Sequence, residues 1–496
     1  MELLVEELPG WAKFRPYQRE GAQKLISDQA RLLWATTGAG KTAMLLAAWG
    51  GLGLSTPALF LSKAIGRYTI PRDAAWVLGK DYVPGILFSG AQRGPGVHDL
   101  RGRRSYTSLD RALLECYGVS TNYDVLEPRF QELAKVPWKL FVMDEAHEIK
   151  GGYQRPKKDR NGKLHLLRYH WARKLADMVR ARGGRVLEST ATPIVDRRRD
   201  LFAQLDIAYP NEFGTAWKFL HRFCDAHPGE YGGLDSSGMT NSDELMGMIR
   251  DRAVLISRAA IASQLPAVQR DVCLVSPNVE SYARMGGGLE TALDRAAELT
   301  MPFVLDEAAE YLTGKLKVIM ITTRRRFAYE MAQELTSKRY LSRLPRHVRK
   351  SIWSACVTGE VDPGKRTAIV EEFNGLNNGP AWLVATIKSV GSSMDIHRVH
   401  GMLIGAFPDR PGDLIQLEGR VGRLSGWPMT IKYLVAERTV AEKYKEMLFD
   451  KLEDASYLGT DTQGEGGAFQ ALGTMGTINE ERVLAGLRAF LEEEQE

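Results

Sequence analysis

The sequence predicts two α/β units, each a parallel sheet flanked by helices, joined by a segment rich in helix signals. Short apolar runs bounded by polar or glycine-rich turns predict buried strands, and helical patterns lie between several of them. This alternation is typical of parallel sheets covered by helices. Four runs precede residue 190 and three follow residue 315, which separates the units: "ARLLWA", "PALFLS", "KLFVMDE", "RVLEST", "KVIMIT", "AWLVAT" and "GMLIGA".

The length of the chain also indicates two domains. Its 496 residues exceed what one hydrophobic core usually supports. Between the two groups of strands, the stretches that begin at Arg199 and Ser242 carry helical patterns. We therefore expect a first unit over residues 1–195, a helical connection over 196–270, a second unit over 271–455 and a tail over 456–496.

Composition excludes several classes of protein. Hydrophobic residues make up 44% and charged residues 26% of the chain, as in globular proteins. No run approaches the roughly 18 apolar residues of a membrane span, and the start "MELLVEELPGW" is acidic where a secretory signal is basic. We expect no membrane association and a cytoplasmic location in a bacterial or phage-infected cell.

The stretch "HRFCDAH" has the spacing of metal ligands in His221, Cys224 and His227, but no fourth ligand is evident nearby.

Positive charge is unevenly distributed along the chain. The net charge is only +5, yet the stretch from Lys150 to Lys174 carries nine basic residues against one acid, Asp159. Tyr153, Tyr169 and Trp171 are interleaved with them. Such a mixture suits a polyanion groove, because cations neutralise phosphates while aromatic rings pack on sugars or bases. A solvated loop is the alternative.

"ATTGAGKTAM" predicts a phosphate-binding loop. It follows the strand candidate "RLLW" and opens the helix candidate "KTAMLLAAW", which is the context that such a loop needs. Glycines let backbone N–H groups converge on phosphate oxygens, Lys41 can reach the outer phosphates, and the Thr42 hydroxyl can bind magnesium. The predicted nucleotide-binding residues here are Thr37, Gly38, Ala39, Gly40, Lys41 and Thr42.

"KLFVMDEAHEIK" supplies the carboxylates that complete this chemistry. An apolar strand runs into Asp144 and Glu145, which places both acids at the carboxyl edge of a parallel sheet, where such folds bind ligands. Asp144 is predicted to hold the metal. Glu145 is predicted to orient and deprotonate the water that attacks the γ-phosphate. His147 is either a link between the nucleotide site and the next motif or a polar residue in a tight turn.

Together with further motifs, these two motifs make the chain resemble superfamily-two helicases and translocases over roughly residues 10–455. "FRPYQREGA" resembles the segment that reads adenine, with Gln18 in the reading position and Arg15 nearby. "ALFLSKAIG", "STNYD", "STATP", "VIMITTRRR", "VATIKSVGSSMDI" and "QLEGRVGR" resemble the remaining motifs in their expected order. The resemblance implies two tandem RecA-like lobes with a helical insertion between them.

The second half of the chain is implied to contribute to catalysis. By the resemblance, "QLEGRVGR" presents Gln416, Arg420 and Arg423 to the nucleotide held by the first lobe. A guanidinium there stabilises charge on the transferring phosphoryl group, and hydrolysis requires lobe closure. A surface salt bridge is the alternative role for the two arginines. Gly391 and Asp395 are assigned to nucleotide binding on the same grounds.

Within the superfamily, the finer resemblance is to Swi/Snf-type double-strand translocases, especially their small annealing-helicase relatives. "DEAHEIKG", "STNYDVL" and the long stretch after "STATP" carry it. "STATP" and "GRVGRLSG" depart from that group's usual threonine-glycine-threonine-proline and terminal isoleucine-glycine-glutamine. Phage branch-migration helicases and restriction-enzyme motor subunits therefore stay open.

A track of side chains along both lobes is implied to face nucleic acid. Contacts to the phosphodiester backbone position a protein without reading sequence, so we expect little base preference. By the resemblance, the contacts are Lys63, Thr121 and Asn122 in the first lobe and Thr323, Arg324, Thr386 and Lys388 in the second.

Together these features predict an ATP-hydrolysing motor, with Mg²⁺, that acts on duplex or branched DNA in fork remodelling, branch migration or strand annealing. We expect a monomer, and the C-terminal stretch "INEERVLAGLRAFLEEEQE" is a candidate docking element for a protein partner. The alternatives are a nucleotide-gated recruitment subunit that works through a partner such as a nuclease, and an RNA helicase. The complete set of hydrolytic motifs favours the motor.

Overall fold

The computed structural model describes residues 5–445, apart from 37, 55–56, 65, 89–104, 155, 159–163, 192, 195–196, 230–232, 237, 262–267, 279–288, 378, 391–395, 397, 409–413, 415–416, 419–420, 422–426 and 443. These residues fall into two compact units, within Met1–Ile261 and Ala262–Tyr457. Each unit is built on a parallel sheet with helices packed against it, as the sequence predicts.

The first unit contains twelve described strands and ten described α-helices. Its strands are β1 Leu32–Ala35, β2 Ala58–Ser62, β3 Gly85–Leu87, β4 Ser105–Tyr106, β5 Gly118–Asn122, β6 Leu140–Asp144, β7 Lys157–Lys158, β8 Leu164–His165, β9 Arg185–Thr190, β10 His227–Pro228, β11 Leu234–Asp235 and β12 Ala253–Ile256. Its helices are α1 Pro16–Ile26, α2 Lys41–Gly51, α3 Gly66–Val77, α4 Leu109–Glu115, α5 Phe130–Lys135, α6 Arg168–Ala181, α7 Leu201–Ala208, α8 Ala216–Phe223, α9 Ser242–Arg250 and α10 Arg258–Ile261.

Eight of these strands form one sheet, in the order β12-β1-β9-β6-β2-β5-β3-β4. Every neighbouring pair is parallel, so all eight strands end at the same edge. The central strands β1, β9 and β6 are in register there, with Trp34 opposite Thr190 and Asp144 opposite Ser189. Parallel α/β sheets bind their ligands at this carboxyl edge.

Burial explains why these segments form strands and helices. All residues of β1, β2 and β6 are buried, as expected for a sheet covered on both faces. Helix α2 is also buried almost all round, from Ala43 to Gly50, so it packs as a core helix behind the loop that precedes it. The loop is therefore anchored at both ends by core elements.

The second unit contains six strands and six α-helices among its described residues. In chain order these are β13 Val268–Val275, α11 Leu289–Thr313, β14 Lys317–Thr322, α12 Arg325–Thr336, α13 Lys338–Ser342, α14 Arg346–Arg349, β15 Trp353–Val357, α15 Pro363–Gly375, β16 Ala381–Thr386, α16 Ile387–Val390, β17 Gly401–Ile404 and β18 Met429–Ala436. The strands form one parallel sheet in the order β13-β18-β17-β14-β16-β15. Its central strands β14, β16 and β17 are fully buried.

All seven predicted strands are present, as β1, β2, β6, β9, β14, β16 and β17. One helical expectation is wrong. The stretch from Ser242 was predicted to be helical throughout, but its apolar run Ala253–Ile256 is β12, which pairs with β1. Without β12, β1 would be an edge strand with unpaired backbone groups. Strand β12, which comes much later in the chain, pairs with these groups.

The segment after β9 is partly helical, as expected. It contains α7, α8 and α9 together with the antiparallel hairpin β10–β11, and it also supplies β12 to the first sheet. The boundaries at 195, 270 and 455 stay predictions. Within the described residues, no helix combines the length and the apolarity that crossing a membrane requires.

Candidate active site

The predicted phosphate loop joins β1 to α2, as the sequence indicates. Gly38 and Gly40 have φ angles of 84° and 85°, the left-handed region that favours glycine. A Cβ on Gly40 would also lie 2.3 Å from Gln18 Nε2, so a larger residue would displace that side chain. The loop thus keeps its backbone close to its neighbours and opens onto the N-terminus of α2, as an anion-binding loop requires.

The predicted adenine-reading segment contacts this loop directly. Gln18 is buried, and its Nε2 donates to the Ala39 carbonyl over 2.9 Å, while its Oε1 accepts from the Arg15 backbone N–H over 2.9 Å. The Tyr17 hydroxyl donates to the same Ala39 carbonyl over 3.2 Å. The structure therefore brings together Arg15, Gln18 and the glycine loop.

Lys41 is buried at the first position of α2, and its Nζ donates to the Ala35 carbonyl at the end of β1 over 3.0 Å. This bond holds the side chain folded back over the loop. Thr42 follows in the first turn of the helix. An ammonium and a hydroxyl next to a helix N-terminus fit a bound triphosphate and its metal.

The predicted acids stand at the end of β6. Asp144 Oδ1 accepts from the Ser189 hydroxyl over 2.6 Å and from the Glu145 backbone N–H over 3.1 Å. The Tyr123 hydroxyl donates to the Asp144 carbonyl over 2.8 Å. Glu145 is buried and has a φ of 55°, a left-handed conformation that costs free energy in a non-glycine residue. Asp144 and Thr42 offer the hard oxygen ligands that Mg²⁺ prefers.

His147 connects the acids to β9. Its Nδ1 lies 2.9 Å from the Thr190 hydroxyl and 3.4 Å from Glu145 Oε2. Burial lowers the pKa of His147 to about 4, so the ring is neutral at pH 7. Of the two roles left open by the sequence, the geometry favours the link between the nucleotide site and "STATP".

The predicted nucleic-acid contacts of the first lobe differ in accessibility. Lys63 follows β2 and forms an ion pair with Glu148 over 3.2 Å. Thr121 is fully buried and donates to the Leu87 carbonyl, so its burial disfavours a phosphate contact. Asn122 is also buried, and its Oδ1 accepts from Arg67 over 3.3 Å. Lys63 is the best placed of the three.

In the second lobe, Thr323, Arg324 and Lys388 line one small cavity at the carboxyl edge of the sheet, together with Glu290 and Asp294 at the start of α11. Arg324 forms ion pairs with both acids, and its Nε lies 2.9 Å from Asp294 Oδ1. The fourth predicted contact, Thr386, is buried at the end of β16.

Several predicted residues lie outside the described residues: Thr37, Gly391, Asp395, Gln416, Arg420 and Arg423. Among the described residues, no three His, Cys, Asp or Glu side chains form a group that could hold a metal ion. His221, Cys224 and His227 therefore do not form such a group.

Two tyrosines and a serine are additions to the predicted set. Tyr17 supports the loop, Tyr123 fixes the Asp144 backbone and Ser189 fixes its carboxylate. Each lies within a quoted motif, "FRPYQREGA", "STNYD" or "STATP", so motif membership was the available signal.

Comparison with known proteins places this geometry in context. The family described as "Helicase conserved C-terminal domain" matches residues 305–425. Over 465 residues the chain is 22% identical to the SWI/SNF-related matrix-associated actin-dependent regulator of chromatin subfamily A-like protein 1 of Xenopus tropicalis, which covers 88% of this chain and 44% of that protein. It is 21% identical over 294 residues to the DNA annealing helicase and endonuclease ZRANB3 of Mus musculus, covering 54% and 26% respectively.

The fold has a counterpart among solved structures. The crystal structure of the DUF1998 helicase MrfA bound to DNA covers 88% of this chain, with a TM-score of 0.54 and 15% identity, and the match spans 51% of that chain. This likeness agrees with the two-lobed α/β fold described above. The chain spans about half of that protein or less in each of these comparisons.

Proposed function

We propose that this chain, a superfamily-two helicase of the Swi/Snf type, is an ATP-hydrolysing motor that acts on duplex or branched DNA. One observation carries the proposal: three adjacent strand ends of the first sheet bring together the glycine loop with Lys41, the acids Asp144 and Glu145, and the hydroxyls of β9. Such a set can bind a triphosphate, a metal and an attacking water side by side.

The first lobe binds and orients ATP. Backbone N–H groups of the loop and the α2 N-terminus would face the phosphates, and Lys41 would leave the Ala35 carbonyl to reach the outer ones. Gln18, which donates to the loop, and Arg15, which donates to Gln18, would contact the adenine. Thr42 and Asp144 would hold Mg²⁺, and the metal would supply positive charge to the phosphate oxygens during transfer.

Glu145 acts on the water molecule. Its backbone has a left-handed φ of 55°, and His147 Nδ1 lies 3.4 Å from its Oε2. A carboxylate held in this way can align the water with the γ-phosphate and accept its proton. Gln416, Arg420 and Arg423 stay predictions for the contribution of the second lobe.

DNA is the proposed substrate because two matched proteins are a DNA annealing helicase and a helicase solved with DNA. Lys63, Arg324 and Lys388 would contact its backbone, which gives little sequence preference. Fork remodelling, branch migration or strand annealing is the proposed outcome. A monomeric state, a cytoplasmic location and a partner for the C-terminal stretch stay predictions.

The test measures ATP turnover of the wild type with duplex, forked and single-stranded DNA and with RNA. We expect stimulation by duplex or forked DNA. We expect Lys41→Ala to lower stimulated turnover by about 100-fold or more, since it removes a cation from the transferring phosphate. Lys365→Ala, which removes an exposed lysine of α15, is the matched control.

The outcomes separate the alternatives. Negligible turnover with every nucleic acid, or wild-type turnover in Lys41→Ala, contradicts the motor and its site respectively. Stimulation by RNA but not by duplex DNA indicates an RNA helicase. Turnover without displacement of a triplex-forming strand or migration of a branch indicates a recruitment subunit.

A further inference from the structure

Glu148 joins two cations that come from separate parts of the first lobe. Its Oε1 lies 3.2 Å from Lys63 Nζ after β2, and its Oε2 accepts from Arg168 Nη1, at the start of α6, over 2.7 Å. The far side of the Arg168 guanidinium donates to Asp124 over 2.6 Å. Two cations thus converge on one carboxylate, as they would converge on the two free oxygens of a phosphodiester.

The positive charge around Glu148 affects the pKa of its carboxyl. Partial burial by itself raises the pKa of the Glu148 carboxyl, but the nearby cations Lys63 and Arg168 lower it below its ordinary value. The side chains of Lys63, Glu148 and Arg168 remain partly exposed, at 22%, 27% and 42%. Ion pairs this accessible are weak, so a phosphate at the end of a polyanion can displace the carboxylate.

Glu148 also lies close to His147, which contacts Glu145 and Thr190. Its Oε1 lies 3.8 Å from His147 Nε2, which is just beyond hydrogen-bond distance. The other ring nitrogen of His147 meets Thr190 at 2.9 Å and Glu145 at 3.4 Å. Because the ring is neutral, it carries one N–H, and the group that binds that proton decides which nitrogen donates.

We propose that Glu148 is a positioning residue that a DNA phosphate displaces from Lys63 and Arg168, and that the released carboxylate then accepts a hydrogen bond from His147 Nε2. The ring gives its Nδ1 proton to water and takes a proton from water at Nε2, so it stays neutral, and Nδ1 accepts from the Thr190 hydroxyl and no longer donates toward Glu145. Glu145 is left to bind the attacking water. DNA binding thereby changes the hydrogen bonding of Glu145 at the ATP site of the same lobe. This inference rests on the proposed function and names its regulation.

Arg168 enters the DNA track by the same argument. It belongs to the basic stretch between Lys150 and Lys174, for which the sequence left open a polyanion groove or a solvated loop. Its direct ion pair with the same carboxylate as Lys63 favours the groove at this position.

The experiment compares wild type, Glu148→Gln, and Glu212→Gln, which removes a carboxylate from an ion pair with Arg252 elsewhere in the lobe. We expect Glu148→Gln to bind duplex DNA about 3-fold more tightly, since Lys63 and Arg168 each lose a competing carboxylate. We expect its DNA stimulation of ATP turnover to fall by about 10-fold, because a neutral amide replaces the charged acceptor for His147. Glu212→Gln should resemble wild type in both. A residue with only a structural role would not tighten binding while it weakened stimulation.

Arg168→Ala gives a second measurement that does not depend on turnover. We expect weaker DNA binding and a decrease of about one in the slope of log affinity against log salt concentration, which indicates the loss of one phosphate contact. Unchanged affinity and slope in Arg168→Ala, or weaker DNA binding in Glu148→Gln, would overturn the displacement. Wild-type stimulation in Glu148→Gln would overturn the relay. If the wild type itself shows no DNA-stimulated turnover, the proposed function fails first, and the inference fails with it.

Discussion

The carboxyl edges of the two sheets differ in how they hold charge. At the first, Asp144 is buried and accepts hydrogen bonds from the neutral Ser189 hydroxyl and from a backbone N–H. At the second, Arg324 is 40% exposed and is bound by two carboxylates, Glu290 and Asp294. One edge thus fixes buried acids with neutral donors, and the other pairs an exposed cation with exposed or half-buried acids.

This difference indicates different tasks. Buried charges are costly unless their partners are in place, so the first edge is preorganised and suits chemistry that needs fixed geometry. Ion pairs in contact with solvent contribute little stability, commonly about 0.2–1 kcal/mol. The second edge can therefore exchange an internal carboxylate for a phosphate. Catalysis and backbone binding are thus separated by burial.

The largest effect should follow from a change at the first edge. We expect Glu145→Gln to lower ATP turnover by about 10²–10⁴-fold, because the amide cannot accept a proton from the attacking water. Nucleotide affinity should change little, since the loop and Lys41 are intact. Steady-state turnover and equilibrium binding of a labelled ATP analogue measure the two quantities. Glu132→Gln, which loses an ion pair with Arg129, is the control. Equal losses of turnover and nucleotide affinity would mean that Glu145 has a general binding role.

Glu188 tests whether hydrogen-bond partners, and not burial alone, distinguish the acids of the first lobe. It precedes Ser189 on β9, is fully buried, and neither carboxyl oxygen has a hydrogen-bond partner among the described residues. Burial raises the pKa of Glu188 well above its ordinary value. Above pH about 4.5 the unfolded chain loses this proton while the folded chain keeps it, so stability falls as pH rises.

Removing the buried carboxyl should therefore stabilise the lobe at neutral pH. We expect Glu188→Met to raise the free energy of unfolding by about 1–3 kcal/mol at pH 7.5 and by less at pH 4.5. Chemical denaturation at the two pH values measures the difference. Glu188→Gln, which keeps a polar group but cannot titrate, is the control. Its free energy of unfolding should lack the fall with rising pH that the Glu188 carboxyl causes in the wild type. An equal gain from Glu188→Met at both values would show that protonation is not involved.

Much of the fold could be predicted because its signals are local. Buried parallel strands are continuous apolar runs, and the strand–loop–helix context of Lys41 lies within one short stretch. The family resemblance, taken from motif order, is confirmed by relatives that match most of the chain. Strand β12 was missed because four apolar residues after a helix do not distinguish strand from helix, and its partner β1 lies far away in sequence.

Charge pairing in the site was less predictable. Lys63 and Arg324 were named from motifs, but their partners Glu148 and Asp294 were not, because they come from other elements that only the fold brings close. Local spacing carries no information about ion pairs across elements. The same limit explains Tyr123, whose contact with Asp144 depends on how β5 and β6 are placed in the sheet.

The smallest effect concerns the second edge. We expect the double variant Glu290→Gln, Asp294→Asn to bind duplex DNA about 3- to 10-fold more tightly at low salt, because Arg324 loses two competing carboxylates. The slope of log affinity against log salt concentration should steepen by up to about one, which indicates a further phosphate contact. Fluorescence anisotropy over a salt series measures both quantities.

Glu307→Gln is the matched control, because it removes a carboxylate from an ion pair with Lys432 on β18 in the same lobe. It should leave affinity and salt slope unchanged. Adding Arg324→Ala to the double variant should abolish the gain, since the released guanidinium is its source. If the double variant binds DNA as wild type does, the two acids fix Arg324 as part of the scaffold. Arg324 would then hold its charge permanently, as Asp144 does at the first edge, and exposure alone would not identify the residues that contact DNA.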